Sequence, residues 1–149
     1  MKHRSRRSPF ATLATVLLLA LLATTTRAEM RQYGSFEVHY SVFSSSFLQP
    51  GIAAAYGIVR AKDRALINIA VRRGTGDAAT VSAVLSGTRG DLIRKTPLEF
   101  REIREEQAVY YIAEFGFVSG ETQYFDIAIQ PAGETRPLVL QFNHVLYAD

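Results

Sequence analysis

Serine and histidine, the side chains of nucleophilic catalysis, come together at residues 39–46. Ser44, Ser45 and Ser46 follow His39 by five to seven residues. A serine nucleophile needs an oriented imidazole within hydrogen-bond reach, and no Gly-x-Ser-x-Gly turn surrounds these serines. Serines at the end of a strand more often bond to the backbone of a turn. The sequence therefore predicts no catalytic residue here.

A second candidate chemistry is acid–base work by paired carboxylates. Residues 99–106 carry four glutamates and two arginines, and Glu114 lies on the expected partner strand. A carboxylic acid becomes a general acid when burial raises its pKa. Alternating charges on neighbouring strands are instead typical of a solvated sheet face with cross-strand ion pairs. This second interpretation is favoured, and it makes Arg101 and Glu114 candidates for a binding surface rather than for catalysis.

Polar residues also surround a short predicted helix. Tyr56 and Arg60 flank its end, and Asn68 stands inside an otherwise apolar strand. A buried asparagine needs hydrogen-bond partners, so one interpretation is that Asn68 anchors the 44–57 loop. The alternative is a ligand pocket in which Arg60 faces an anion and Tyr56 stacks on the ligand. The anchoring role is favoured, because loops need such contacts.

Tyr110 adds a candidate for partner binding. It is adjacent to Tyr111, and consecutive strand residues point to opposite faces. One of the two is therefore expected in the core and the other at the surface. An exposed tyrosine beside arginines has the composition of a protein-binding patch.

The residues available for a metal centre are few. The chain has no cysteine, and His39 and His144 are its only histidines after residue 28. A zinc-type site with several histidines or cysteines is therefore not expected. The sequence predicts neither a metal site nor a cofactor.

Short runs with a period of two residues must position these side chains. Such alternation predicts half-buried strands, and glycine, proline and serine clusters mark the turns between them. A helical turn is expected at 52–56, ending at Gly57. At 98–103 the alternation slips by one residue, which predicts a β-bulge near Arg101 and Glu102. The expected strands lie at 36–42, 66–71, 80–85, 98–103, 109–115, 125–129 and 138–142, with a long connection at 87–96.

About seven strands at regular spacing, with one short helical segment, favour an all-β fold over a parallel α/β fold. An immunoglobulin-like β-sandwich fits this pattern best. The alternative is a small β-barrel of lipocalin type with eight strands.

The beginning of the chain has the organisation of an export signal. Five basic residues and no acidic residue occur before residue 29, and an apolar run occupies 10–23. Small residues at Thr26 and Ala28 complete the pattern of a secretory signal peptide cleaved after Ala28. An uncleaved anchor would need about 20 apolar residues. We therefore expect a signal peptide at 1–28 and a single domain at 29–149, without a stable membrane span.

Cleavage would reverse the net charge. Of the 17 basic residues 12 would remain, against 14 acidic ones, so the mature net charge would be −2. Nucleic acid is therefore not an expected partner, because its phosphates are neutralised by an excess of lysine and arginine.

Several longer segments carry a family resemblance. The segments 40–48, 54–60 and 65–71, and above all 98–105 followed by 108–115, are similar to the domain of unknown function 4426 (DUF4426) family. The resemblance extends over nearly the whole of 29–149. It implies a small exported protein of Gram-negative bacteria with an all-β domain, and it implies no activity.

The favoured function is therefore a non-catalytic periplasmic module that binds a protein partner of the envelope through an exposed strand edge. A carrier of a small ligand at 44–60 is the alternative, and a carboxylate-based hydrolase is a more distant one. The oligomeric state is left open.

Overall fold

The computed structural model describes residues 28–74 and 79–148, so the predicted signal peptide lies outside it apart from Ala28. Within this part of the chain there are nine strands and one α-helix, α1, at Pro50–Ala55. The strands are β1 Glu29–Tyr33, β2 Phe36–Ser44, β3 Arg64–Arg73, β4 Ala83–Gly90, β5 Lys95–Pro97, β6 Arg101–Glu105, β7 Ala108–Gly116, β8 Thr122–Pro131 and β9 Leu138–Val145.

The strands form two open antiparallel sheets. The five-stranded sheet has the order β1-β2-β3-β7-β6, and the four-stranded sheet has the order β5-β4-β8-β9. The chain passes from one sheet to the other after β3, β5 and β7. The fold class is therefore confirmed as an all-β sandwich, and the sheets do not close into a barrel.

Alternate apolar residues of the strands form the core between the two sheets. Val38, Tyr40 and Val42 of β2 face it, together with Ile67 and the other alternating residues of β3, and all of them are buried. Phe125 and Phe142 stack with their ring centroids 4.7 Å apart, and Tyr40 packs against Phe142 at 4.5 Å. Aromatic pairs of this kind stabilise a core beyond the area that they bury.

The strand count in the sequence prediction was too low by two. β1 was missed because an edge strand is exposed: its first four residues are all exposed, so its sequence has no apolar alternation. β5 was missed because it has three residues and ends at a proline.

The bulge predicted near Arg101 and Glu102 is wrong. β6 pairs with β7 in continuous register from Arg101 to Glu105. The phase changes because the chain crosses between the sheets at 98–100: Leu98 is buried in the core, whereas Ile103 faces the outer side of the five-stranded sheet. A change of sheet thus produces the same sequence signal as an extra residue.

The boundaries predicted at 80–85 and 87–96 are also wrong. β4 runs from Ala83 to Gly90 and returns as β5, so most of the expected connection is a hairpin. A Cβ atom at Gly90 would overlap the carbonyl oxygen of Arg94, which explains the close approach of the two strands. Gly90, which the sequence analysis placed in a loop, thus permits this pairing.

The helical prediction is confirmed with a small shift. α1 begins at Pro50 and is followed by Gly57, whose φ of 64° suits the end of a helix. Among the described residues, no helix is long and apolar enough to cross a bilayer.

Candidate functional site

Residues 45–60, which we name the strap, cross the outer face of the five-stranded sheet. The strap begins with a 3₁₀ turn at Ser45–Phe47 and contains α1. Ser45 Oγ donates to the carbonyl of Ala61 at 3.2 Å and accepts from its N–H at 3.0 Å. The Arg60 guanidinium donates to the carbonyl of Ser46 at 2.9 Å. The serines and Arg60 therefore tie the two ends of the strap together.

Arg101 fastens the strap to the sheet. Its guanidinium donates to the carbonyl of Tyr56 at 2.9 Å and to Glu114 Oε1 at 3.0 Å. The other Glu114 oxygen accepts from the Val59 N–H at 3.4 Å and lies 3.6 Å from the Arg64 guanidinium. The Glu114 side chain is 18% exposed, so its ion pairs are partly desolvated. We refer to Arg101, Glu114 and Arg64 as the clamp.

An apolar cavity of about 30 Å³ lies between the strap and the sheet. Asn68 is its polar wall residue, and its Oδ1 atom is buried without a hydrogen-bond partner among the described residues. A cavity of this size has room for one or two water-sized groups. The lining residues are Phe43, Leu48, Ile52, Tyr56, Ile58, Leu66, Asn68, Ile103, Tyr110 and Ile112.

Two tyrosines at this cavity share an acidic neighbour. The Tyr56 hydroxyl donates to Glu105 Oε1 at 3.1 Å. Burial raises the pKa of Tyr56, and the Glu105 carboxylate raises it further. Burial also raises the pKa of Tyr110, again with a contribution from Glu105. Both phenols therefore stay protonated and can donate hydrogen bonds.

The candidates chosen from the sequence fall into three groups. Tyr56, Asn68 and Tyr110 come together at the cavity, and Arg101 and Glu114 come together in the clamp. Arg60 lines neither. The sequence left open which of Tyr110 and Tyr111 is the core residue: it is Tyr111, whereas Tyr110 lies half-buried under the strap.

Sequence reasoning missed Glu105 and Arg64. Glu105 was counted only among the surface charges of 99–106, yet it ends β6 and accepts a hydrogen bond from Tyr56 of the strap. No local pattern indicates either contact, because both depend on how the strap crosses the sheet.

The edges of the two sheets differ in composition. β1 has Glu29 and Arg31, β5 has Lys95 and Pro97, and β6 has four charged residues in five. Short length, charge and proline are the usual protections of an edge against pairing with another chain. β9 has eight residues with no aspartate, glutamate, lysine, arginine or proline. It is the least protected edge in the described part of the protein.

The backbone of β9 shows which groups its edge offers. Among the described strands β9 pairs only with β8. The Tyr33 hydroxyl, from the other sheet, donates to the carbonyl of Val139 at 2.8 Å, so this carbonyl points away from β8. Because alternate residues of an antiparallel strand point their backbone groups the same way, those of Gln141 and Asn143 also point outward.

The acidic and histidine side chains show no clustering that suggests a metal centre. His39 Nε2 lies 3.1 Å from Glu37 Oε2. Over 28–74 and 79–148 no group of three or more histidine, aspartate or glutamate side chains could hold a metal ion.

Comparison with known proteins gives one match at the family level. Residues 30–149 match the model of a family described as "Domain of unknown function (DUF4426)". A crystal structure of a DUF4426 family protein from Pseudomonas aeruginosa PAO1 is 37% identical, with a TM-score of 0.70. The alignment covers 82% of this chain and 96% of that one. No curated protein matches the chain.

More distant structures share the fold. FetP of uropathogenic Escherichia coli strain F11, recombinantly expressed in the E. coli periplasm, has a TM-score of 0.57 at 11% identity. The alignment covers 82% of this chain and 95% of FetP. A copper-bound variant of FetP has a TM-score of 0.56 at 12% identity, with 80% and 95% covered. At these identities the similarity concerns the fold alone.

Proposed function

The chain belongs to the DUF4426 family, and from this premise we propose that it is an exported, non-catalytic module of the bacterial envelope. Its role is to bind a protein partner that adds a strand to β9. The observation that carries the proposal is the edge of β9, which combines length and neutrality with the outward backbone groups of Gln141 and Asn143; the Tyr33 hydroxyl already occupies the carbonyl of Val139. Edge addition uses backbone hydrogen bonds for affinity and alternate side chains for specificity.

Export is supported by the sequence before residue 29, with its basic start and apolar run. The distant structural neighbour FetP, which was expressed in the periplasm, is consistent with a fold that functions in this compartment.

The contacts of the carboxylates favour a non-catalytic role. Both oxygens of Glu114 are engaged by arginines, and Glu99 and Glu102 are exposed. A general acid needs burial or a neighbouring like charge to raise its pKa. Hydrolysis by the carboxylates at 99–114 is therefore the least favoured alternative.

The native mass of the protein recovered from the periplasm of its own host tests this proposal. We expect a complex after mild cross-linking with wild-type protein and with Asn143→Ala, but free protein with Asn143→Pro. Both variants delete the amide side chain, and only proline removes the outward N–H without breaking a bond to β8. Thermal unfolding would show that both variants are folded. A free wild-type chain, or equal complexes with both variants, would contradict the proposal.

A second candidate function is the carriage of a small ligand, and the cavity under the strap favours it. A ligand there would be apolar with one hydrogen-bond donor for Asn68 Oδ1. It would have to displace the strap, because about 30 Å³ holds little more than one water.

Native mass spectrometry distinguishes this candidate. A carrier would release a small molecule on denaturation, and Asn68→Leu would abolish its retention while Arg60→Ala would not. Protein that retains no small molecule would remove this candidate and leave the β9 proposal unaffected.

A further inference from the structure

The hairpin between β4 and β5 ends in two exposed aliphatic side chains. Leu92 is 79% exposed and Ile93 is 91% exposed, and neither belongs to the hydrophobic core. Large apolar side chains presented together at a tip are typical of an interaction site rather than of a solvated turn.

Two hydrogen bonds to one side chain hold the turn that presents them. Asp91 Oδ1 accepts the N–H of Ile93 at 2.7 Å and that of Arg94 at 2.5 Å. These backbone hydrogen bonds lower the pKa of Asp91, so its carboxylate stays ionised at any physiological pH. Gly90 lets the two strands approach closely at the base of the turn. Leu92 and Ile93 are therefore held outward by the fold.

Other exposed apolar residues lie at the same end of the sandwich. The end of β7 and the start of β8 are joined by only five residues, so this end also includes the ends of β2, β4 and β9. Val118 is on that connection and is 59% exposed, and Tyr147 follows β9 and is 67% exposed. Phe47, just after β2, is 49% exposed. We name this surface the apolar end.

The charges of the apolar end are mixed, with cations next to the tip. Arg94 and Lys95 directly follow Ile93 and are exposed. Lys62 is a third exposed cation. The exposed acids are Asp63 and Glu121 on the neighbouring loops and Asp91, which directly precedes Leu92 and whose carboxylate accepts the backbone N–H groups of Ile93 and Arg94. Aliphatic side chains followed at once by cations match the surface of an anionic bilayer, where acyl chains lie beneath phosphates.

The chain also enters the fold from this direction. Glu29, the first residue of β1, pairs with Tyr40, and β1 is antiparallel to β2. Ala28, the residue before Glu29, therefore lies on the side towards which β2 runs, which is the side of the apolar end.

We propose that the apolar end binds the surface of an anionic phospholipid bilayer. Leu92 and Ile93 insert below the headgroups, and Arg94 and Lys95 bind the lipid phosphates. This binding is peripheral and reversible, and it is independent of the proposed partner at β9. It would place the protein at a membrane surface with the edge of β9 still accessible.

The absence of tryptophan from the chain makes a direct test simple. Ile93→Trp puts one reporter at the tip, and Val84→Trp is a matched control at the other end of β4, where Val84 is 74% exposed. Periplasmic protein would be mixed with vesicles of phosphatidylethanolamine and phosphatidylglycerol. We expect a blue shift and protection from aqueous quenchers for Ile93→Trp only. No shift, or equal shifts at both positions, would overturn the proposal.

Sedimentation with the same vesicles tests the natural side chains. We expect the double variant Leu92→Ser/Ile93→Ser to bind about tenfold more weakly or worse, because most of the inserted apolar surface is lost. Val84→Ser should bind like wild type. Wild-type binding should also fall in vesicles of phosphatidylcholine alone and at high salt. A wild-type dimer that the double variant abolishes, with no vesicle binding, would identify a second copy as the occupant and overturn the proposal.

Discussion

The edge strands β6 and β9 differ in how well they are protected against pairing with another chain. β6 has five residues, four of them charged, and its side chains contact the rest of the fold. Arg101 binds the strap and Glu114, and Arg104 donates to Ser82 Oγ at 3.1 Å. β9 has eight residues, and no hydrogen bond of the Gln141 or Asn143 side chain occurs in the described protein. The charges of β6 thus serve both stability and protection, whereas β9 is left available for another chain.

The largest expected effect comes from placing on β9 the kind of charged side chains that protect β6. In Gln141→Lys/Asn143→Lys, two charges stand on the open edge, and we expect partner binding to fall about tenfold or more. Stability should change little, because both side chains are exposed. The control is Val84→Lys/Ser86→Lys, which places the same charges at exposed positions of β4, where the Ala83 N–H and the Gly87 carbonyl are already bonded to Tyr111 and Leu98. Equal losses in both double variants would mean that charge alone, rather than the edge, decides binding.

Removal of one hydroxyl on the β6 side should have the next largest effect. Tyr111 accepts the N–H of Ala83 at 2.7 Å and donates to Glu102 at 3.0 Å, so it joins β6 to the other sheet. Tyr111→Phe leaves the Ala83 N–H unpaired, and we expect the free energy of unfolding to fall by about 1–3 kcal/mol. Urea denaturation measures this. Tyr110→Phe is the control, with an expected change within about 0.5 kcal/mol. Equal effects of the two substitutions would contradict this role of Tyr111.

A matched pair of substitutions compares the two edges directly. Arg101→Ala should reduce the free energy of unfolding by about 1–2 kcal/mol, because the half-buried Glu114 loses a partner and the strap loses a hydrogen bond. Gln141→Ala should change it by less than about 0.5 kcal/mol. Denaturant unfolding of both variants checks the difference. If Gln141→Ala proved as destabilising as Arg101→Ala, β9 would be a structural strand like β6.

The smallest expected effect is the pH dependence contributed by His144 on β9. Burial lowers the pKa of His144, and the Glu29 carboxylate offsets this in part. The unfolded chain therefore binds a proton more readily than the folded one. This contribution to stability is complete above the ordinary histidine pKa of about 6.5 and falls as the pH drops below it. Wild type should lose slightly more thermal stability between about pH 7.5 and pH 5.5 than His144→Gln. Equal losses of thermal stability in wild type and in His144→Gln would contradict this contribution of His144.

Local sequence patterns predicted most of the long strands well, because their alternation reflects burial on one face. β2, β3, β7, β8 and β9 are all found close to the expected positions. The same logic failed at β1 and β5, which are exposed or short, and at 98–100, where the chain changes sheets. Alternation reports burial, so it does not detect a strand without a buried face.

The candidate site was predictable in part. The sequence analysis grouped Tyr56, which follows the predicted helix, with Asn68, which interrupts an apolar strand. Both residues line the cavity. The clamp partner Arg64 and the acceptor Glu105 were not predictable, because their contacts depend on three-dimensional packing. The neutrality of β9 was visible in the sequence, but its meaning required the strand order.

Site-specific photo-cross-linking in intact cells tests whether a protein partner binds at β9. A photoreactive residue would replace Gln141 on β9 in one variant and Glu106, in the turn that ends β6, in another; both positions are exposed. If β9 is the binding edge, position 141 gives one discrete protein adduct, which is lost on addition of Asn143→Pro, and position 106 gives none. Adducts from both positions, or none from position 141, would contradict the claim that β9 is the binding edge.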